Sequence, residues 1–437
     1  MAGARRSDAI VINPAVASPN AMPATGAVVM SNRAFGLASW VLSAAVFLAC
    51  YTTWRIHFDY LFTIGDALFC FAALLLFMSG RVNIFPFGGL TILWYGGLFL
   101  MLLGLLISSL IHGNGERWLI VAGQYSFAFA LLPMLLVHDV GSLLHRLILA
   151  LVLGAAAMEL FGAVVYFTTE HDYRTAQLFG YEFITGNNRL GAFTADANWN
   201  AAVIAMTLPF VFYLNRIGRI STFSTATLLG ILGMGLVLTG SVTGFASAVV
   251  ASAVFVLVAR EGRIVRVVVL IGTVLGVLVS MGAISSLPDA FQRRVASAIE
   301  TGDVSAAGTY MGRKALIDEA WDMTDRTTLV GIGVDQYRVE SSHRMPVHNM
   351  FLLIWTEGGV FALIGWLMIM ALPIILSIFC LTRDRGTAGL GLAVTFVFIS
   401  FSMASPHMYS RSWSVPLIVA MAVMIHRLGS RGFSKRV

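Results

Sequence analysis

The chain has 437 residues, of which 58% are hydrophobic and only 11% are charged, and its formal net charge is +6. A soluble globular domain carries roughly 25% charged residues, so this composition excludes a soluble enzyme, a disordered chain and a disulfide-stapled secreted module. The apolar runs are continuous and about 20 residues long, the length that an α-helix needs to cross a bilayer. A transmembrane β-barrel would instead show segments of about 10 residues with alternating polarity. The sequence therefore predicts an all-α polytopic membrane protein.

The hydropathy pattern predicts about twelve membrane spans. In chain order they cover residues 35–54, 60–78, 87–111, 118–137, 147–167, 199–213, 226–240, 243–259, 264–284, 357–380, 388–405 and 412–426.

The spans divide the chain into five regions. Residues 1–34, rich in Ala, Pro and Ser, are expected to form a disordered cytoplasmic tail. Spans one to nine lie within 35–284, and the large loop 285–348 separates spans nine and ten. Spans ten to twelve lie within 349–426, and residues 427–437 form a basic cytoplasmic tail.

The basic residues indicate which side of the membrane each loop faces. With the N-terminus in the cytoplasm, the short inside segments and tails hold sixteen basic residues, and the short outside loops hold three, Arg55, Arg117 and Arg411. The positive-inside rule therefore places both termini in the cytoplasm. The long segments 168–198 and 285–348 then face outward, which in a bacterium means the periplasm.

Long loops in a compact protein are usually functional, so the two outward segments are the first place to look for a site. The second contains a predicted helix at about 309–325. Five of its residues recur on one face at helical spacing: Tyr310, Arg313, Ile317, Ala320 and Trp321. No nucleotide-binding glycine motif occurs in the chain, and we predict no cofactor and no nucleic-acid partner.

His348 is the candidate for proton transfer. It lies at the outer boundary of the tenth span, beside Asn349 and nine residues before Glu357. An imidazole with an ordinary pKa of about 6.5 keeps a neutral, basic fraction at pH 7. The alternative is that His348 only caps the helix or anchors it at the interface.

Two outward arginines are candidates for binding phosphate. Arg189 precedes Asp196 and the sixth span, and Arg313 lies on the predicted loop helix. Guanidinium groups bind phosphate through two parallel hydrogen bonds and stay charged. The alternative is that both are solvated or bind ordinary lipid head groups. Asp196 and Glu357 are the next candidates for the base if His348 does not act.

Asp66 and Glu159 lie within spans, where a carboxyl group is a hypothesis for a proton or ion path. The sequence offers neither an obvious basic partner, and they lack the repeated broken-helix pattern of a transporter. The histidines and the three cysteines show no metal-binding spacing, so no catalytic metal is predicted.

Several blocks, taken in order, resemble the O-antigen ligase/polymerase family of bacterial envelope glycosyltransferases. The blocks are Arg189 to Phe193 with Asn198, then Leu238 to Ser241, then Gly312-Arg313 through Trp321, Gly331 to Gly333, His348-Asn349 and Glu357 to Gly359. They cover about 185–365, and each block by itself has low specificity.

The resemblance implies a lipid-linked glycosyltransferase of the GT-C type that needs no metal. Its donor would be a glycan on undecaprenyl diphosphate, and its acceptor another glycan or lipid A–core. His348 would be the base, Arg189 and Arg313 would bind the diphosphate, and Asn349, Asp196 and Glu357 would support them. Polymerisation of O-antigen or exopolysaccharide units is favoured over ligation to lipid A–core. A chain-length regulator and a flippase are candidate partners, and the location would be the bacterial inner membrane with the active site facing the periplasm.

The chain departs from the family at one position. Members often have an arginine directly after the Gly-Ser turn, where this chain has Val242. If that arginine normally helps to hold the diphosphate, another residue must do so here, and Arg189 is the candidate.

Two other functional classes are kept open. An enzyme should bring Arg189, Arg313 and His348 around one cavity that opens outward. A transporter or flippase of polyanionic lipids should instead place Asp66 and Glu159 in a cavity at the middle of the membrane. A structural assembly partner would need no such arrangement of histidine and arginine.

Overall fold

The computed structural model describes residues 25–57, 61–138, 141–171, 173–185, 187–262, 288–298 and 310–429. Its longer helices are α1 (Thr25–Phe47), α2 (Ile64–Met78), α3 (Thr91–Ile111), α4 (Gly115–Ser126), α5 (Leu132–Leu136), α6 (Gly141–Thr168), α7 (Tyr173–Phe179), α8 (Ala197–Arg216), α9 (Thr222–Thr239), α10 (Val242–Ala259), α11 (Tyr310–Arg326), α12 (Gln336–Glu340), α13 (Met350–Leu381), α14 (Arg385–Ser402) and α15 (Arg411–Gly429). The strands form two short antiparallel pairs, β1 (Arg55–His57) with β2 (Phe62–Thr63) and β3 (Ile184–Thr185) with β4 (Arg189–Leu190).

The helices confirm a polytopic helical membrane protein. Ten described helices are long and apolar enough to cross a membrane, with α4 and α5 forming a single span joined by a π-helical turn at Phe127–Leu131. An eleventh apolar helix, α2, has 15 residues. The predicted span 264–284 lies outside the described residues, as does most of the predicted tail 1–34. Helix α1 begins at Thr25, so the described chain is helical ten residues before the predicted end of that tail.

The most buried spans form the centre of the bundle. Helices α8, α14 and α15 are enclosed by other helices, whereas α9 and α10 leave most of their residues on the outside. Helices α3 and α13 pack closely because both contribute glycines: a Cβ on Gly104 would lie 2.7 Å from the Ala362 nitrogen, and one on Gly97 2.8 Å from the Gly365 oxygen. Small residues at a helix crossing are the usual means of close approach in membranes.

The predicted loops meet in two groups, one at each end of the bundle. At one end Arg216 pairs with Glu261, and Arg427 Nε lies 3.2 Å from Asp384 Oδ2. At the other end Arg117 pairs with Asp335 of the large loop. The first group joins only predicted inside segments and the second only predicted outside segments, so the packing agrees with the predicted alternation of sides.

A second, smaller hydrophobic core lies over the outer end of the bundle. It joins α11 to the chain before and at the start of α13, through Leu316, Ala320, Ile332, Tyr337, Val347, Leu352 and Leu353. The predicted loop helix at about 309–325 is therefore present as α11. Its buried side centres on Leu316 and Ala320, while Trp321, which we predicted on the same face, is 47% exposed.

Helix α13 is broken at Gly359, whose φ of 72° and ψ of −172° are not helical. The backbone groups that the break releases are hydrogen-bonded by the segment 328–333. Ile332 N donates to Thr356 O at 2.9 Å, Gly333 N donates to Glu357 O at 2.9 Å, and Val360 N donates to Thr328 O at 3.1 Å. The break separates a short outer helix, Met350 to Gly358, from the membrane span.

Asp66 has a basic partner that the sequence did not reveal. Arg411 Nε donates to Asp66 Oδ1 at 2.6 Å, and both side chains are almost fully buried. The other guanidinium nitrogens donate to Gln124 Oε1 at 2.7 Å and Leu61 O at 3.0 Å. The expectation that Asp66 lacks a partner in a neighbouring span is therefore wrong, because the partner lies 345 residues away at the start of α15.

Candidate functional site

A polar cavity of about 300 Å³ lies at the end of the bundle where the two predicted outward loops meet. Its polar and charged lining residues are Arg55, Glu182, Asp196, Asn198, Arg313, His348 and Ser405, and Ala195, Trp199, Ala404 and Pro406 complete the wall. The lining comes from six separate stretches of the chain. The arrangement therefore depends on the tertiary fold and not on a local motif.

His348 is held at the cavity by its two neighbours in the chain. Val347 is fully buried in the small outer core, and Asn349 is the N-cap of α13. The Asn349 Oδ1 accepts from Phe351 N at 3.0 Å and Leu352 N at 3.2 Å, which satisfies two free amides at the helix start. His348 itself makes no such cap. Its half-buried imidazole faces the cavity, so the capping role belongs to Asn349.

The environment keeps His348 neutral. Burial, and then the positive charge of Arg313, lower the pKa of His348 from its ordinary value of 6.5, while Asp196 opposes this change. A neutral imidazole at neutral pH is the form that can accept a proton.

Arg313 reaches the cavity from α11, one helical turn before Leu316. The helix is anchored because Tyr337 Oη donates to Leu316 O at 2.7 Å and Ser341 Oγ donates to Glu319 Oε2 at 2.7 Å. Burial lowers the pKa of Arg313, and Asp196 opposes the change. The small outer core thus positions both Arg313 and His348.

Arg189 lies behind the cavity wall and is only 8% exposed. It sits on β4, opposite Thr185, and its Nε donates to Thr239 O at 2.7 Å. Its Nη2 donates to Asn198 Oδ1 at 2.8 Å, the same oxygen that accepts from Ser241 Oγ at 2.9 Å. Arg189 therefore contacts the cavity through Asn198 and is fixed to the turn at 239–241.

Three arginines interact electrostatically beside the cavity. Burial, followed by the charge of Arg294, lowers the pKa of Arg189 to about 10, and Arg313 adds to the effect while Asp196 opposes it. Burial and Arg313 lower the pKa of Arg294. Because guanidinium groups still remain protonated at neutral pH, their mutual repulsion favours an anion at this place.

The supporting residues divide into those at the cavity and those away from it. Asp196 lines the cavity and caps α8, where its Oδ1 accepts from Asn198 N at 2.7 Å and Trp199 N at 3.0 Å. Glu357 does not line the cavity. It is 3% exposed, and its peptide packs against Gly331, where an added Cβ would lie 2.2 Å from the Glu357 carbonyl carbon.

Three cavity features escaped the sequence analysis. Arg55 was counted only as a short-loop arginine, and Glu182 was not considered, yet both line the cavity. The wall at 404–406 is followed by His407, whose Nε2 lies 3.7 Å from Asp335 Oδ1. Burial disfavours the charge on Asp335, but hydrogen bonds and charges from His407 and Arg117 hold its pKa well below its usual range. The one sequence feature that could have singled out Arg55 is that the short outside loops contain few arginines.

The two intramembrane carboxyl groups do not line this cavity. Asp66 is neutralised by Arg411, and Glu159 lies near Asn200, whose Nδ2 donates to Glu159 Oε2 at 3.3 Å. Among the described residues, no group of three or more His, Cys, Asp or Glu side chains could hold a metal ion.

Residues 225–367 match a family model described as O-antigen ligase. This stretch, about a third of the chain, is similar to O-antigen ligases. The match confirms the resemblance drawn from the sequence blocks, and the ten apolar helices indicate a multi-pass membrane protein. The matched stretch includes Arg294, Arg313 and His348, whereas Asp196 precedes it in the chain. No curated protein matches the chain in a search of its sequence.

Proposed function

We propose that the protein is a GT-C-like membrane glycosyltransferase that moves a glycan from undecaprenyl diphosphate to an acceptor sugar at the periplasmic face of the bacterial inner membrane. The observation that carries this proposal is the meeting of a neutral histidine and an arginine cluster at one cavity, reached from both predicted outward loops. A sugar on a diphosphate is already activated, so the reaction needs no nucleotide.

The donor binds with its diphosphate at the arginines and its sugar in the cavity. Arg313 lines the cavity, and Arg189 lies behind Asn198, so both can stabilise a diphosphate at the edge of the protein. When the bond between the sugar and the diphosphate breaks, negative charge grows on the leaving oxygen. Fixed positive groups in a site of low dielectric stabilise that charge most effectively.

His348 takes the proton of the incoming hydroxyl group. The acceptor oxygen forms a bond to the anomeric carbon as the carbon–oxygen bond to the diphosphate breaks, and the hydroxyl proton passes to the neutral imidazole. Attack from the side opposite to the leaving group inverts the anomeric centre. No step requires a metal ion.

The acceptor distinguishes two versions of this function. We favour polymerisation, in which the growing chain passes to the next lipid-linked repeat unit of an O-antigen or exopolysaccharide. Ligation to lipid A–core is the second candidate, because the matching family model is described as O-antigen ligase. A regulator of chain length and a flippase are proposed partners of the polymerase.

The decisive test replaces His348 in purified protein that is given a lipid-diphosphate-linked glycan and an acceptor. His348→Ala and His348→Gln should lower turnover by about 10²- to 10⁴-fold, the usual contribution of a positioned base, while leaving donor binding nearly unchanged. His343→Ala is the matched control, because His343 is exposed in the same loop and should be replaceable without loss of activity. Supplying a lipid-linked repeat unit or lipid A–core as acceptor separates polymerase from ligase.

Substantial turnover by His348→Gln would remove the histidine as the base and direct attention to Asp196, which lines the same cavity. Glu357, the other alternative suggested by the sequence, lies outside the cavity lining. An inactive wild-type protein with both acceptors would contradict the proposed function itself.

A further inference from the structure

Arg294 is a charged residue that the proposed mechanism has not used. It lies in the segment 288–298, where a short helix, Asp289–Phe291, continues into a π-helical turn, Gln292–Ala296. Ala290, Phe291 and Val295 of this segment are buried, whereas Arg293, the neighbour of Arg294, is exposed. The apolar side chains therefore fix the segment on the bundle.

The segment covers the same turn that holds Arg189. A Cβ on Gly240 would lie 3.3 Å from the Ala290 carbonyl, and the Phe245 and Phe291 rings are 6.0 Å apart. Arg189 reaches this turn from the other side, through Thr239 O. Arg189 and the segment that carries Arg294 therefore pack against one turn from two different parts of the chain, and the charge of Arg294 acts on Arg189.

The Arg294 side chain has hydrogen-bonding capacity that the protein leaves unused. It is half-buried, and its Nε is buried with no partner among the described residues. A buried donor of a charged group without a partner costs free energy, commonly recovered when a ligand binds. Nor does a carboxylate of any described residue form an ion pair with Arg189, Arg294 or Arg313.

The charges of the described residues in this group sum to two positive units. Arg189, Arg294 and Arg313 contribute three, and Asp196, the carboxylate that interacts with Arg189 and Arg313, subtracts one. A diphosphate that carries a lipid at one end and a sugar at the other has two negative charges. Without Arg294 the group would have one net positive charge, which balances only the single negative charge of a phosphate diester.

The same balance holds after the proposed transfer. Loss of the sugar leaves a lipid diphosphate with up to three negative charges. His348 gains one positive charge when it takes the acceptor proton. The site then holds three positive units against three negative ones, so the arginine group suits both substrate and product.

We infer that Arg294 is a third ligand of the lipid diphosphate and makes the site select a diphosphate over a monophosphate. This inference rests on the proposed function. It adds the residue whose charge makes the site accept a diphosphate as the leaving group.

The test measures binding of undecaprenyl diphosphate and of undecaprenyl monophosphate to the purified full-length protein in detergent. Wild type should bind the diphosphate more tightly. Arg294→Ala should weaken diphosphate binding by about 10-fold or more, as for one lost charge-assisted hydrogen bond. The ratio of the affinity for the diphosphate to the affinity for the monophosphate should therefore fall. Arg294→Lys should fall between the two, since lysine keeps the charge but loses the paired donors.

Arg293→Ala is the matched control, since it removes one positive charge from the next residue without touching the buried side. Its binding of both lipids should equal that of wild type, and the melting temperatures without lipid should agree among all variants that are compared. If Arg294→Ala unfolds, Arg294→Gln and Arg294→Lys decide the question.

The possible outcomes separate this inference from the proposed function. Wild-type affinity for the diphosphate in Arg294→Ala would overturn the inference alone. If Arg294→Ala lost the same affinity for both lipids, Arg294 would bind any lipid phosphate, and the proposed selectivity for the diphosphate would be overturned. Failure of the wild-type protein to bind undecaprenyl diphosphate would instead contradict the proposed function.

Discussion

The charges of Arg313 and Asp196 shift the pKa of His348 in opposite directions. Burial lowers the pKa of His348 most, the charge of Arg313 lowers it further, and the charge of Asp196 raises it. The imidazole is therefore neutral over a wider pH range than a solvent-exposed histidine. Each neighbour can be removed separately, which makes the proton-transfer role of His348 open to a test that does not depend on deleting the histidine.

Asp196→Asn should move the acidic limb of the pH profile of kcat/KM to lower pH. Asparagine caps a helix about as well as aspartate, so α8 should be kept while the charge is lost. Without that negative charge the pKa of His348 falls further, and the base stays neutral at lower pH. Arg313→Gln should move the limb to higher pH, although its rate will be lower. Profiles that coincide with wild type in both variants would show that another group sets the limb.

The pair Asp66–Arg411 is the buried ion pair of the described structure with the most complete hydrogen bonding. Asp66→Asn should destabilise the protein by about 3–5 kcal/mol, because it leaves the buried guanidinium without a compensating charge. The measurement is unfolding by a denaturing detergent in mixed micelles.

Asp384→Asn is the matched control for that substitution. Asp384 likewise pairs with an arginine, and it is the N-cap of α14, but its partner Arg427 is 45% exposed. An exposed pair contributes about 0–1 kcal/mol, so the control should unfold close to wild type. Equal effects of the two substitutions would mean that the environment of Asp66 is far more polar than its burial indicates.

At the scale of secondary-structure elements, the break in α13 connects the membrane bundle to the site. The short outer helix begins at the cap Asn349, directly after His348, and ends where the segment 328–333 bonds the freed backbone groups. If α13 were straight, its outer part would point in a different direction and His348 would lie elsewhere. The position of His348 therefore depends on the conformation of Gly359.

Gly359→Ala should destabilise the protein by about 1–3 kcal/mol through backbone strain and should lower turnover as well. An added Cβ would lie 2.2 Å from Leu329 O, and the φ of 72° disfavours any side chain. Gly123→Ala is the control: Gly123 lies in α4 with nothing within 4 Å of the added Cβ, so stability should hold or rise. Thermal unfolding and turnover together check the result, and a stable, active Gly359→Ala would show that the break is not required.

At the scale of the whole molecule, the predicted inside and outside segments form separate groups at opposite ends. Residues from both long outward segments share the cavity, together with Arg55 and the 404–406 wall. The ion pairs of the inside segments lie at the other end. The direction in which each end faces follows from the bias of the basic residues.

Single cysteines introduced at two exposed positions should report that direction. In a background lacking Cys50, Cys70 and Cys380, Met345→Cys should react with an impermeant maleimide in intact cells. Thr222→Cys, at the start of α9, should react only after the membrane is opened. The reverse pattern would place the cavity in the cytoplasm and rule out a lipid-linked donor at the outer face.

The properties that the sequence by itself determined are local or additive. A run of about 20 apolar residues suffices to make a membrane helix, because the bilayer sets the required length. Counting basic residues predicts the side of each short loop, and helical periodicity predicts α11. The ligase-type blocks likewise singled out His348 and Arg313, because those motifs are short and contiguous.

The tertiary structure alone decided which distant residues meet. It placed Arg411 on Asp66, brought Arg55 and Glu182 into the cavity, set the segment that carries Arg294 over the turn that holds Arg189, and left Glu357 out of the cavity lining. Such contacts depend on how helices far apart in the chain pack against one another. Periodicity and local composition describe each helix separately and carry no information on those neighbours, so a charge's partner becomes visible only in the folded chain.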